Sequence, residues 1–211
     1  MTNFERELDK SGVEVRLKTR VNRAYVEETA PDAVVVATGG QPATPEFERA
    51  DGADVCTAWD ILRGYATPGA RVVVAELFGD WVAPGIAEKL VSEGHQVRLA
   101  TLQPRVGEAI AALVGDHLAG RMFELGVETI PYARLYGMDE DTAYFEHCMA
   151  LKPIVCEGVD TLVLCYGNRS DRALAEELAG IEIETHFVGD CRSPRTAEEA
   201  ILEGYEVAAT L

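Results

Sequence analysis

The sequence predicts an α/β protein of Rossmann-like three-layer domains with mainly parallel sheets. Three observations carry that reading. Apolar, strand-like runs alternate with amphipathic, helix-like ones along most of the chain. Residues 71–101 have the length and pattern of one strand–helix–strand crossover unit. Finally, an acid, an apolar run and a glycine recur, as Asp32-Ala-Val-Val-Val-Ala-Thr-Gly39 and Asp160-Thr-Leu-Val-Leu-Cys-Tyr-Gly167. That duplication points to two related dinucleotide-binding halves.

Each element follows from its own pattern. Phe4 to Lys10 reads as the end of a helix stopped by Gly12. Val13, Val15 and Leu17 alternate with charged residues, which predicts a strand with one solvated face. The continuous apolar run at 32–37 predicts a strand buried on both faces. Gln41 to Asp54, rich in proline, glycine and acids, reads as loop, and Thr57 to Arg63 as a short helix before the Pro68-Gly69 boundary. In the crossover unit, Arg71 to Ala75 is the first strand and Gln96 to Thr101 the second. Between them Ala83 to Ser92 is a helix with Ile86, Ala87, Leu90 and Val91 on one face, ended by Gly94. A longer helix is expected over 108–125, then short strands at 127–130, 134–138 and 142–147. The second acid–strand–glycine run follows, then a helix at 171–178, a strand at 186–190 and a last helix from Thr196. Residues 1–68 with 168–211 are expected to form one domain, and 69–167 the other.

Composition narrows the functional classes. With 47% hydrophobic and 26% charged residues, the chain has the balance of a globular protein. Its 36 acidic against 19 basic residues give a net charge of −17. That leaves no basic face for nucleic acid or for an anionic membrane surface. No apolar run reaches transmembrane length, and Met1 to Lys10 does not read as a signal peptide. The five cysteines lack C-x-x-C spacing, so reduced thiols in a cytoplasmic protein are expected rather than disulfides, zinc or an iron–sulfur cluster. His95, His117, His147 and His186 are scattered, with no metal-binding pair.

Several segments together resemble a known family. Val34-Val-Val-Ala-Thr-Gly-Gly40, the unit at 71–101 and Val188-Gly-Asp-Cys191 occur in the order found in flavoproteins of the two-dinucleotide-binding-domain type. More narrowly, Trp81-Val-Ala-Pro-Gly-Ile-Ala-Glu-Lys-Leu-Val-Ser-Glu-Gly-His95 is similar to the C-terminal region of the trimethylamine dehydrogenase and 2,4-dienoyl-CoA reductase family. So is Val188-Gly-Asp-Cys-Arg-Ser-Pro-Arg195 followed by Glu199-Ala-Ile-Leu-Glu-Gly-Tyr205. This is the NADH:flavin oxidoreductase, Old Yellow Enzyme-like group. The resemblance implies a larger parent enzyme, with an FMN-containing TIM barrel and an iron–sulfur cluster preceding a region that binds FAD or ADP. It also implies that the first domain is incomplete, because the FAD fingerprint and its central strand would lie upstream of Phe4. A gap, a rearranged first sheet, or a strand lent by a second copy of the chain is then expected.

The resemblance also assigns the candidate cofactor residues. Asp190, beside Gly189 and before the helix at Thr196, would hydrogen-bond the ribityl chain of FAD; a turn or N-cap aspartate is the plain alternative. Thr38, Gly39 and Gly40 would flank the same cofactor, or simply form a tight turn after a strand. In the second half, only Gly79 and Gly85 survive of the glycines that let a pyrophosphate approach a helix N-terminus. Glu76, Asp80 and Trp81 place bulk and negative charge there, and the run Arg98 to Gln103 at the end of the second strand contains no acid to hold a ribose. Arg105 is a weak phosphate candidate. NAD(P)H binding is therefore not expected, and no catalytic residue is assigned. The expectation is a dinucleotide-docking fragment or subunit of a flavin-dependent oxidoreductase, silent alone. The competing expectation is a cofactor-free structural or interaction module.

Overall fold

A computed structural model describes residues 2–211. Contacts divide the chain into two compact units: residues up to Gly39 together with Ser170–Leu211, and Gly40–Arg169.

The second unit has the three layers the sequence predicts. Its parallel sheet has the spatial order Val55–Thr57, Thr161–Cys165, Arg71–Glu76, Gln96–Thr101 and Glu128–Ile130. The helices Ala58–Arg63, Val82–Ser92 and Ala112–Glu124 supply the layer on one face. There Ile86, Leu90 and Met122 pack on Val72, Val74, Leu99 and Val163. The other face is covered by an antiparallel meander, Ala133–Met138, Thr142–His147 and Lys152–Glu157, joined by the short parallel strand Glu48–Arg49. Leu135 and Phe145 of that meander pack on Val73, Ala75, Leu162 and Leu164. Alternate residues of each central strand thus enter opposite cores, which is why these strands read as unbroken apolar runs. Complete burial of each such side chain stabilises the fold by about 1.5–3 kcal/mol. Thr57 starts the first helix with a reciprocal capping box to Asp60, and Gly64, in the left-handed region, ends it.

Among the described residues, the first unit is built around the strands Ala33–Val36 and Glu184–Phe187, paired in parallel. Its small core joins Val26, Val36, Leu178 and Cys191. Three elements differ from their sequence reading here. Residues 13–17 belong to no strand, and Val13, Val15 and Leu17 are exposed. Alternation supplies the right faces, but a strand also needs a neighbour's N–H and C=O groups. The Ala33–Val36 strand is half-buried rather than buried on both faces, with Val35 44% exposed, because only one strand flanks it. The last strand ends at Phe187, and Gly189–Cys191 forms a 3-10 turn in place of its expected end.

Residues 40–68 sit with the second unit, through the pairing of Val55–Thr57 with Thr161–Cys165. A three-residue strand between a polar loop and a helix is too short to show a period of two. The helix Arg23–Thr29 and the strand Lys152–Glu157 are further elements that the patterns did not signal. No helix among the described residues is long and apolar enough to cross a membrane.

Candidate functional site

Parallel pairing brings two of the expected turns together in the first unit. Val36 lies opposite Phe187, so the segments leaving both strands run side by side. Val188 N–H donates to the Val36 carbonyl at 3.1 Å, and the Cys191 thiol donates to the same oxygen at 3.0 Å. Beyond Val36, the Thr38 hydroxyl donates to the Asp171 carbonyl at 3.0 Å, and Asp171 N–H donates back to the Gly39 carbonyl at 3.0 Å. Gly39 has φ +79° with open space where a Cβ would stand, so conformation rather than packing calls for glycine. Gly189, at φ +66°, is constrained twice, since a Cβ there would lie 3.2 Å from the Ala200 side chain. Asp190 remains half-exposed in the turn, accepting the Arg195 N–H at 3.3 Å.

The turn is held by an acid that sequence reasoning missed. Glu203, buried in the helix Ala197–Ala208, accepts Gly189 N–H at 2.7 Å and pairs with Arg192 at 3.2 Å and with Arg195. The Gly189 N–H first, then the two arginines, hold its carboxyl below the usual range against the effect of burial. A glutamate in an amphipathic helix ordinarily reads as a solvent-side residue; the signal was the pair of arginines just before the helix. Thr196 caps that helix, accepting Glu198 N–H at 3.3 Å, while the Glu199 carboxylate accepts Thr196 N–H at 3.1 Å. These bonds satisfy backbone donors that a phosphate would otherwise use. A cleft of about 550 Å³ runs along Val34 to Thr38, closed by Thr19–Val21 on one side and by Asp171, Leu174 and Glu177 on the other.

In the second unit the corresponding place is the carboxyl end of its sheet. From Arg71–Glu76 the chain winds outward one way, then returns to place Thr161–Cys165 on the other side, so a topological switch point lies between these two strands. Open α/β sheets receive ligands in such crevices. Here a half-exposed aromatic side chain stands at its edge. The Phe78 ring lies against Gly167, where a Cβ would come within 2.6 Å of it. Beneath, Glu76 is 1% exposed, and neither carboxyl oxygen makes a hydrogen bond of normal geometry. Burial pushes its pKa up to about 7; the nearby Thr101 hydroxyl and Gly79 N–H oppose this and Asp80 reinforces it.

The other expected residues of this half have local roles. Gly79, at φ +70°, lets the loop pass Gln103, whose side-chain amide donates to the Leu77 carbonyl at 2.8 Å. The Asp80 carboxylate accepts Val82 N–H at 2.8 Å at the start of the next helix. Gly85 lies inside that helix with open space around it. Arg105 directs its guanidinium to Glu108, at 2.7 Å, and to Asp116. Thr38, Gly39, Gly189, Asp190 and Thr196 therefore share the first unit, while Gly40, Gly79, Gly85 and Arg105 lie in the second. Burial raises the thiols of Cys56, Cys156 and Cys165, and no cluster of three metal-ligating side chains occurs among the described residues.

Comparison with known proteins agrees with this architecture. No family model matches the chain. The chain is 26% identical over its whole length to a bilirubin reductase of Mediterraneibacter gnavus, covering 32% of that protein. Over 113 residues, 51% of the chain, it is 33% identical to an N,N-dimethylglycine/sarcosine dehydrogenase of Chromohalobacter salexigens, covering 16% of it. Among solved structures, a 2-naphthoyl-CoA reductase in complex with 2-naphthoyl-CoA superposes with a TM-score of 0.84 and 25% identity, over 96% of the chain and 30% of that protein. The chain thus spans about a third or less of these relatives. A histamine dehydrogenase of Rhizobium sp. 4-9 shares the fold, with a TM-score of 0.88 and 19% identity over 94% of the chain and 33% of that protein. The chain is therefore similar to part of reductases and of amine dehydrogenases alike, in keeping with the resemblance to the trimethylamine dehydrogenase and 2,4-dienoyl-CoA reductase family.

Proposed function

We propose that the first unit docks an adenine dinucleotide, FAD or ADP, as part of a flavin-dependent oxidoreductase whose FMN-bearing TIM barrel lies outside this chain. One observation carries the reading: parallel pairing of Ala33–Val36 with Glu184–Phe187 sets the turns at Thr38-Gly39 and Gly189-Asp190 side by side. The half-exposed Asp190 carboxylate and the exposed Thr38 hydroxyl suit the hydroxyls of a ribityl or ribose chain. The residues present fit that part of the cofactor, while the donors nearest a pyrophosphate are engaged by Glu203 and by the Thr196 cap. A bound flavin would supply the redox chemistry; the protein's part is to orient it and accept its hydroxyl hydrogen bonds. The chain alone is then silent in catalysis, and electrons would pass only with the barrel present.

In the second unit, Phe78 against Gly167 and the buried Glu76 speak against NAD(P)H, since a pyrophosphate would meet an aromatic ring and a carboxyl there. The same features favour the second reading, a cofactor-free assembly module. Thermal-shift titration with FAD, ADP and NADH separates the readings. Stabilisation by FAD or ADP that Asp190→Asn weakens about tenfold, as expected for loss of one charge-assisted bond, supports docking. No shift with either ligand at millimolar concentration would overturn it in favour of the assembly module.

A further inference from the structure

The second unit contains a buried acid that neither reading uses. Glu76 ends the central strand, and its row-neighbours across the sheet are Cys165 on one side and Thr101 on the other. Above this row passes the loop Leu77 to Trp81, which leads into the eleven-residue helix Val82–Ser92. The loop is lightly fastened. Leu77 N–H donates to the Cys165 carbonyl at 3.4 Å, the Gln103 side chain holds the Leu77 carbonyl, Ala109 N–H donates to the Gly79 carbonyl at 3.0 Å, and Phe78 rests on Gly167 while half-exposed. An ionised carboxylate needs hydrogen bonds or water, and in this closed arrangement Glu76 is shut off from water and makes no hydrogen bond of normal geometry; the nearby Thr101 hydroxyl and Gly79 N–H do not offset its burial. It is compatible with a neutral, protonated acid.

We propose that Glu76 is the latch of a proton-gated crevice: while it holds its proton the Leu77–Trp81 loop closes over the carboxyl ends of Arg71–Glu76 and Thr161–Cys165, and when it releases that proton to water the loop lifts to hydrate the carboxylate.

Every titratable neighbour is consistent with Glu76 as the trigger. Asp80, on the loop itself, carries a charge that disfavours ionisation of Glu76. Cys165 and, beyond it, Cys56 are pushed up by burial and by the acids, Cys56 to about 12, so neither thiol changes charge with Glu76. Glu108, packed against Gly79, is paired with Arg105. Ionisation of Glu76 would therefore add a second charge close to Asp80 under a loop with few bonds to break. The opened crevice would be the switch point between Arg71–Glu76 and Thr161–Cys165, beside which Phe78 rests on Gly167.

Hydrogen exchange at the amides of Leu77 to Trp81, corrected for intrinsic rates, tests the latch between pH 5.5 and 9. The expected result is a loss of protection of about tenfold or more with a midpoint near pH 7, while central amides of Thr161–Cys165 stay protected. Glu76→Gln, neutral at every pH, should hold the loop protected throughout. Asp80→Asn, which keeps a capping side chain but removes the charge, should move the midpoint to lower pH. Protection that does not change with pH, or that falls equally in Glu76→Gln, overturns the proposal. Should Glu76→Gln not fold, a midpoint unmoved by Asp80→Asn overturns it as well.

Discussion

The two units carry nearly the same local strand and bury it very differently. Thr161–Cys165 is buried at every position, with strands on both sides and cores on both faces. Ala33–Val36 has one neighbouring strand, and only Val36 is fully buried. Both runs follow an acid and lead to a glycine in the left-handed region, Gly167 at φ +72° and Gly39 at φ +79°. Burial, and with it stability, is thus decided by what flanks a strand. An apolar run states what the residues tolerate and leaves open what surrounds them.

The largest effect expected from this difference is a core truncation made in each strand. Leu162→Ala removes a wholly buried side chain between the meander and the sheet, and should cost about 2–5 kcal/mol. Val35→Ala, at a side chain left largely in water, should cost under about 1 kcal/mol. Urea unfolding read by hydrogen exchange in each unit separately gives both numbers. Equal costs would mean that the Ala33–Val36 strand is covered in solution by something that shields Val35 from water.

Glu76 provides the next test, and its sign depends on pH. Its pKa rises from the ordinary 4.5 in the unfolded chain to about 7 in the fold. Below pH 4.5 both states are protonated and the group contributes nothing. Between 4.5 and 7 the folded state keeps a proton that the unfolded state has released, so stability falls as pH rises. Above 7 the penalty levels off at about 3 kcal/mol, from the shift at 1.36 kcal/mol per unit. Glu76→Gln should therefore stabilise the second unit at pH 8 by up to about 3 kcal/mol and leave it nearly unchanged at pH 4.5. Loop opening would reduce the gain at pH 8 by hydrating the carboxylate. A gain of the same size at both pH values would show that the amide improves packing and that burial of charge is not the cause.

Much of this contrast was legible in the residues, within limits that have physical causes. Arg71–Glu76, Gln96–Thr101 and Thr161–Cys165 announce themselves because both faces are apolar. Gly12, Gly94 and Gly126 mark helix ends, each at positive φ. Residues 13–17 misled because alternation reports a strand's two faces and says nothing about whether a partner edge exists. Lys152–Glu157 went unnoticed because Pro153 and exposed Val155 share its outer face, which hides a period of two. Of the site residues, Asp190 and the flanking glycines were legible from a short motif. Glu203 was not, because its burial depends on a turn 14 residues away folding back onto the helix.

The smallest expected effect concerns a device that both units share. Thr57 and Thr196 each cap a helix with a reciprocal box, to Asp60 and Glu199 respectively. A cap is a local arrangement of three or four residues and needs no sheet beside it, so sheet completeness should not alter its worth. Thr57→Ala and Thr196→Ala should each cost about 1 kcal/mol, with Thr57 toward the upper end because its bonds are partly buried. Hydrogen exchange in the first turns of Ala58–Arg63 and Ala197–Ala208 measures both. If Thr196→Ala costs markedly less than Thr57→Ala, the helix Ala197–Ala208 already frays at its start, and the weakness of the first unit reaches beyond its sheet. The Gly189 turn, held by Glu203 from within that helix, would then be loosened too, and the dinucleotide docking proposed at Asp190 would require the helix to be ordered first.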